Sequence, residues 1–238
     1  MDGTIRSASA WSGKSTAREC GDHTVIHGPM HSAPLRDVQL FFTDPPGLSP
    51  DTSFAETRDF FIETFEAMER MRHRNCALFL LSRDGKGHPF QKSIVSAYVA
   101  QEMGWHVFRQ FTWLASERDY HCRRYAAQAA WAFHKGNIMA NNDSPFRYKD
   151  VIRADDDFKA NAHGMVQALP LTLIVPLLQL YAKPRMLVCD PFAGSGTVMD
   201  AAALLNLRSA SIEIDRDRAL ALVRKAEDYR VQSLATVT

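Results

Sequence analysis

The segment Leu187-Val188-Cys189-Asp190-Pro191-Phe192-Ala193-Gly194-Ser195-Gly196-Thr197-Val198 restricts the possible fold more than any other, because three independent signals agree in it. Met186 to Cys189 is a short apolar run of the buried-strand type. Asp190-Pro191 stops it, since proline lacks a ladder donor and biases the residue before it. Gly194 and Gly196 mark a turn. From Thr197 the apolar residues Val198, Ala201, Ala202 and Leu205 recur at helical spacing, so the unit reads strand, glycine turn, helix. Such a corner suits a ligand. Glycines let the backbone lie where a Cβ would intrude, and the helix N-terminus behind them offers unpaired N–H groups.

About twenty residues on, Ala210-Ser211-Ile212-Glu213-Ile214 reads as a second strand with an acid near its end. In open α/β sheets an acid at that place binds ribose hydroxyls. A dinucleotide fingerprint also requires Gly or Ala three residues after the second glycine, and Met199 stands there. The corner therefore suits a nucleoside ligand without a pyrophosphate, and a dinucleotide-dependent dehydrogenase is disfavoured.

Asp190-Pro191-Phe192-Ala193-Gly194-Ser195-Gly196-Thr197 resembles the S-adenosylmethionine motif of the DNA amino-methyltransferases, which methylate adenine N6 or cytosine N4. The resemblance implies S-adenosylmethionine as cofactor. It also implies a Rossmann-like α/β fold, a mixed and mostly parallel sheet with helices on both faces. By the same resemblance, Asp190, Pro191, Phe192, Gly194, Ser195, Gly196, Thr197 and Glu213 are the expected cofactor-binding residues.

A second half-site lies near the start of the chain. His23 to Gly28 reads as a strand ending in a glycine turn, and Asp37 to Thr43 as another, followed by Asp44-Pro45-Pro46-Gly47. Alone, Asp-Pro-Pro-Gly is an ordinary turn. At the end of an apolar strand, in one chain with the glycine corner, it is similar to the family's catalytic motif: Asp-Pro-Pro-aromatic for adenine, Ser-Pro-Pro-aromatic usually for cytosine. Asp44, Pro45 and Pro46 are then the expected catalytic residues. Two positions depart from the pattern. Pro29 replaces an acid, and Gly47 replaces the aromatic that stacks on the flipped base, for which Phe54 or a residue of another loop is a candidate substitute.

The chemistry accounts for these residue types. An exocyclic amino nitrogen is a poor nucleophile because its lone pair is delocalised into the base. A site must accept hydrogen bonds from its N–H groups and aim the lone pair at the methyl group. The Asp44 carboxylate and the Pro45 carbonyl are suitable acceptors, and paired prolines stiffen their loop.

Between the half-sites, Phe54 to Arg74 is expected as a helix, with Phe61, Phe65 and Met68 on one face. Asn75 to Leu81 reads as a buried strand, Ser82 to His88 as a solvated loop in which Lys86 and His88 could meet phosphate, and Ile94 to Met103 as a helix. Trp105 to Trp113 and Tyr125 to His134 read as strands. Arg118, Tyr120, His121, Arg123 and Arg124 form the one basic and aromatic cluster, either a nucleic-acid-binding surface or a solvated turn. The polar stretch 138–162 corresponds to a short target-recognition region, whose acid run Asp155 to Asp157 would repel phosphate. A helix follows from Ala168 until Lys183-Pro184, where His163, Gln167 and Pro170 loosely resemble a family turn packed on the cofactor. Arg216 to Arg230 reads as the closing helix.

The order of catalytic half, recognition insert and cofactor half resembles the β-type permutation of the family over residues 22–230. The expected organisation is an N-terminal arm, 1–21, and one domain, 22–238, divided into 22–137, 138–165 and 166–238. A formal charge of +1 gives no global footprint for DNA, the expected partner, so local patches must carry that contact. Homodimerisation or a partner subunit is left open. Cys20, Cys76, Cys122 and Cys189 lack metal or redox spacing and read as free thiols, and no apolar run is long enough for a membrane span; both suggest a cytosolic protein. The expected activity is methyl transfer to an amino group of a DNA base, adenine N6 before cytosine N4. The alternative is a catalytically weakened relative that binds S-adenosylmethionine or nucleic acid as a partner subunit. The test is geometric: residues 44–46 and 190–197 must share one pocket.

Overall fold

A computed structural model describes residues 15–46, 49, 51–82, 90–114, 127–141, 144, 149–154 and 168–235. Arg118, Arg123, Arg124, Gly47, Lys86, His88, Asp155 to Asp157, His163 and Gln167 lie outside the described residues.

Among the described residues, nine strands form one sheet. They are β1 (Thr16–Cys20), β2 (His23–His27), β3 (Val38–Thr43), β4 (Arg72–Leu81), β5 (His106–Leu114), β6 (Ala127–Lys135), β7 (Val151–Arg153), β8 (Leu187–Asp190) and β9 (Arg208–Glu213). Their spatial order is β1-β2-β9-β8-β3-β4-β6-β5-β7. The block from β2 to β4 is parallel throughout. β6 then runs antiparallel to both β4 and β5, and β1 closes the other edge antiparallel to β2. Five helices cover the sheet: α1 (Phe54–Met71), α2 (Lys92–Glu102), α3 (Leu171–Gln179), α4 (Thr197–Leu204) and α5 (Arg216–Ala235).

The period-2 alternation of the central strands sorts their side chains onto two apolar layers. Leu40 and Phe42 of β3, with Ala77, Phe79 and Leu81 of β4, face the layer shared with Leu173, Ile174 and Leu177 of α3 and Val198 and Ala201 of α4. Phe41, Cys76, Leu78 and Leu80 face the opposite layer, which Phe61, Phe65 and Met68 of α1 and Val95 and Val99 of α2 complete. Burial on both faces requires helices on both faces, and the chain supplies them. A third cluster joins Val25 and Met199 to Ala219, Leu222 and Ala226 of α5. Met199, where a dinucleotide fingerprint has a small residue, is thus a fully buried packing residue between α4 and α5.

Several sequence expectations are corrected. Thr16–Cys20, read as the end of an N-terminal arm, is edge strand β1, joined to β2 by a two-residue turn with Gly21 at φ 64°. Its outward side chains are polar or charged, which hid the strand, and Arg18 pairs with Glu227 of α5. Helix α1 stops at Met71 rather than Arg74, because Arg72 turns extended and opens β4. Its start is well defined: the Ser53 hydroxyl accepts from the Glu56 N–H, and the Glu56 carboxylate accepts from the Ser53 N–H. Helix α3 ends at Gln179, before Lys183-Pro184. The middle polar stretch contributes β7, parallel to β5, and the Trp113 indole N–H donates to the Ala154 carbonyl beside it.

The contact that joins the two ends of the chain is β3 on β8, with Leu40 opposite Val188 and Phe41 opposite Cys189. The Gln39 side-chain carbonyl extends that ladder by accepting from the Leu187 N–H at 2.7 Å. Replacing Gln39 with Leu leaves this half-buried N–H without its partner. The expected cost is about 1–2 kcal/mol in urea denaturation, with an unchanged slope.

Candidate active site

Strand pairing places the two half-sites together. With Phe41 opposite Cys189 in a parallel register, the loop after Thr43 and the loop after Asp190 leave adjacent strands at the same carboxyl edge, about one strand spacing apart. This is where the strand order reverses. From β8 the chain goes through α4 to β9 on one side, whereas from β3 it goes through α1 to β4 on the other. Open α/β sheets bind ligands at such a point.

On the cofactor side, Asp190 and Glu213 are each only 7% exposed. Asp190 accepts from the Phe192 N–H at 3.0 Å, closing the Asp-Pro turn on itself. Glu213 accepts from the Gly194 N–H at 3.0 Å through one oxygen and from the Asp215 N–H at 2.9 Å through the other. The acid at the end of β9 therefore grips the glycine turn, and each of its oxygens retains a lone pair for a ligand. Gly194 and Gly196 have φ of 48° and 76°, and Gly196 is the residue before α4. A Cβ on Gly196 would come within 2.4 Å of Leu222 Cδ2, so this glycine is required by its backbone angle and by the approach of α5. Pro191 is buried within the turn, and the Phe192 ring lies 5.9 Å from that of Phe60 on α1.

Residues the sequence reasoning missed fix the turn from below. Lys225 of α5 donates to the Ser195 carbonyl at 2.9 Å and to Asp200 at 2.9 Å, and the Tyr229 hydroxyl donates to the other Asp200 oxygen at 2.9 Å. The Ser195 and Thr197 hydroxyls are 2.9 Å apart. Lys225 and Tyr229 are spaced one helical turn apart, a signal present in the sequence but masked by the stronger apolar face of α5.

On the other side, Asp44 is half-buried, Pro45 buried and Pro46 exposed. The Lys92 ammonium, at the start of α2, donates to the carbonyls of Pro45 at 3.5 Å and Pro46 at 3.4 Å. Nothing in the sequence singled this lysine out. Phe54 opens α1 at the same edge, 51% exposed, with its ring edge-on to Phe90 at 5.6 Å. Pro29 is buried and begins a single helical turn in which its carbonyl accepts from the Ser32 N–H. Pro170 immediately precedes α3.

The electrostatics of the crevice are acidic. Burial raises the Asp190 carboxyl to about 8; the Phe192 N–H opposes this, while the Asp44 and Glu213 carboxylates add to it. A cation placed among these three acids is stabilised, which fits S-adenosylmethionine, whose sulfonium and ammonium are positive. By contrast, the thiols of Cys76 and Cys189 are raised by burial in apolar surroundings, and with Cys20 they are free and buried. Among the described residues no cluster of His, Cys, Asp or Glu could hold a metal, and no helix is long and apolar enough to cross a membrane.

A doubly wound sheet whose reversal point carries a glycine corner, an acid at the end of the neighbouring strand and an acid-lined crevice has the architecture in which open α/β folds bind nucleoside ligands. The sequence pattern of the DNA methylase family, the N6/N4 methyltransferases, matches residues 64–224, and the chain belongs to that family of S-adenosylmethionine-dependent DNA amino-methyltransferases. No curated protein sequence matches the chain. Among solved structures, the chain is similar to the cytosine-N4-specific PvuII DNA methyltransferase at 17% identity and a TM-score of 0.69, covering 92% of this chain and 89% of that one. It is also similar to a putative DNA modification methylase from Thermus thermophilus complexed with S-adenosyl-L-methionine, at 16% identity and TM-score 0.64, covering 87% and 93%. A third likeness is to the M1.HpyAVI–SAM complex, at 20% identity and TM-score 0.58, covering 81% and 89%. At these identities the likenesses concern the fold.

The raised Asp190 carboxyl has a consequence for stability. Its pKa is about 8 in the folded chain against an ordinary value of 3.8, so the folded state holds the proton across that window and the unfolded state releases it. Stability from this group is present below about pH 4 and is lost as pH rises towards 8. Asp190→Asn is expected to melt several degrees above the wild type at pH 8 in the absence of ligand, with the difference vanishing near pH 4. Melting curves across that range check it.

Proposed function

We propose that this chain methylates adenine N6 in DNA, using the Asp44 loop to hold the target amino group and the Asp190–Thr197 corner with Glu213 to hold S-adenosylmethionine. The observation that carries this reading is the junction of the two loops at adjacent strand ends, set by Phe41 opposite Cys189. Adenine is preferred over cytosine because the motif resembling the family's catalytic one begins with an acid, Asp44.

In this arrangement the Gly194–Gly196 turn and the start of α4 lie along the cofactor, and Glu213 turns its remaining lone pairs to the ribose hydroxyls. Asp190 balances the positive end of the amino-acid portion. S-adenosylmethionine supplies an electrophilic methyl group on a sulfonium. The Asp44 carboxylate and the Pro45 carbonyl accept the two amino N–H bonds of a base flipped from the duplex, which leaves the nitrogen lone pair directed across the crevice. Transfer of that methyl group would leave a neutral thioether behind and place a positive charge on the nitrogen. The Asp44 carboxylate stabilises that charge and accepts the released proton. The exposed Phe54 and the partly buried Phe90 beside it are the aromatic faces available in place of Gly47.

The experiment is transfer of label from methyl-labelled S-adenosylmethionine to DNA, followed by digestion and identification of the methylated nucleoside. N6-methyladenine is expected. Asp44→Ala is expected to lower turnover at least a hundredfold while leaving the cofactor-induced rise in melting temperature intact. N4-methylcytosine would overturn the adenine assignment, and cofactor binding without transfer by the wild type would favour a binding subunit.

A further inference from the structure

Lys92 is 8% exposed, although it is the first residue of α2. A cation there opposes the helix dipole, and taking an ammonium out of water costs hydration. Helix formation therefore gives no reason for a lysine at this place. Its contacts do. The ammonium reaches the carbonyls of both Pro45 and Pro46, so it stands beside the acceptor assigned to the target amino group.

The surroundings are those of a polar ligand. Thr43 ends β3 opposite Leu80, and Ser82 directly follows β4; by strand alternation both share the face of Phe41 and Leu80, which pack in the layer of α1 and α2. Both hydroxyl oxygens are buried without a hydrogen-bond partner. Buried orphan hydroxyls are uncommon and mark capacity that something polar uses.

We propose that Lys92 donates to the ring nitrogen next to the target amino group, and so reads the Watson–Crick edge of the flipped base. The inference rests on the proposed function. In adenine N1 adjoins the amino-bearing carbon, and in cytosine N3 does; both are acceptors. An acceptor at Pro45 and a donor at Lys92, side by side, complement that edge. Guanine and thymine present a carbonyl oxygen and a ring N–H at the same places, so each would meet acceptor with acceptor and donor with donor. An ammonium rotates about its terminal bond, so it can turn an N–H from a proline carbonyl to the base. A donor at the ring nitrogen does not make the amino group more nucleophilic. Its contribution therefore falls on base binding.

The test uses a duplex in which the base methylated by the wild type has been mapped, carrying either that base or its analogue without the ring nitrogen, 1-deazaadenine or 3-deazacytosine. In the wild type the analogue is expected to lower kcat/KM about ten- to a hundredfold, mostly through KM. In Lys92→Met the natural base is expected to suffer a similar loss and the analogue no further one, while Lys92→Arg keeps part of the discrimination. An equal penalty from the analogue in wild type and Lys92→Met, or an unaffected Lys92→Met, overturns the proposal. The cofactor-induced melting shift verifies that each variant is folded, and Lys92→Gln supplies the same comparison should the methionine variant lose it. Absence of transfer by the wild type to any DNA would instead refute the proposed function, and this reading with it.

Discussion

Everything at the site depends on one parallel pairing, β3 against β8. The two strands are separated by almost the whole chain, yet Leu40 and Phe41 lie directly opposite Val188 and Cys189, all four fully buried. A parallel register slipped by one residue would exchange the two faces of β3, carrying Phe41 into the α3 and α4 layer and Leu40 and Phe42 into the α1 and α2 layer. Each layer is filled by side chains of definite volume, so the core itself fixes the register. The register in turn fixes which residues of the two loops meet at the sheet edge. Core packing thus decides the geometry of the crevice.

How much of this was legible in the sequence follows from how local each signal is. The glycine corner was readable because strand, turn and helix are encoded within a dozen consecutive residues, and Asp44-Pro45-Pro46 because proline interrupts a strand in a visible way. Buried parallel strands read as continuous apolar runs, so β3, β4 and β8 were evident. Strand β1 was not, since its sequence, Thr-Ala-Arg-Glu-Cys, is that of an exposed edge strand and its pairing partner alone makes it a strand. The same holds for β7, three residues at the far edge. Lys92, Lys225 and Asp200 escaped notice for a different reason. Each acts through a contact to a group distant in sequence, and a single charged residue on a helix carries no spacing that distinguishes it from a solvated one.

Gly196 has a structural role that its place in the motif did not reveal. Its left-handed backbone and the approach of Leu222 already exclude a side chain. The turn is therefore held rigid from the α5 side by packing and by the Lys225 bond to the Ser195 carbonyl, and from the β9 side by Glu213 on the Gly194 N–H. A loop braced on both flanks offers its remaining N–H groups in fixed positions, so little conformational entropy is left to lose when a ligand binds.

The placement of the acids shows why one crevice suits both partners of a methyl transfer. Asp190 and Glu213 lie at the glycine corner and Asp44 in the loop after β3, and the Asp44 and Glu213 carboxylates both act on Asp190. On the proposed reading, positive charge begins on the sulfonium, beside the first two, and ends on the methylated nitrogen, beside the third. A single acid near the cofactor would stabilise the starting charge and oppose its departure, which lowers KM without raising kcat. Acids spread across both half-sites compensate the charge wherever it stands along the path, and the carboxylate at the far end gains as the reaction proceeds. Afterwards the neutral thioether and the deprotonated amine leave the acids without a counter-charge. The buried Asp190 carboxyl then favours its proton again, and on the proposed reading the crevice holds its products less tightly than the cation it first received.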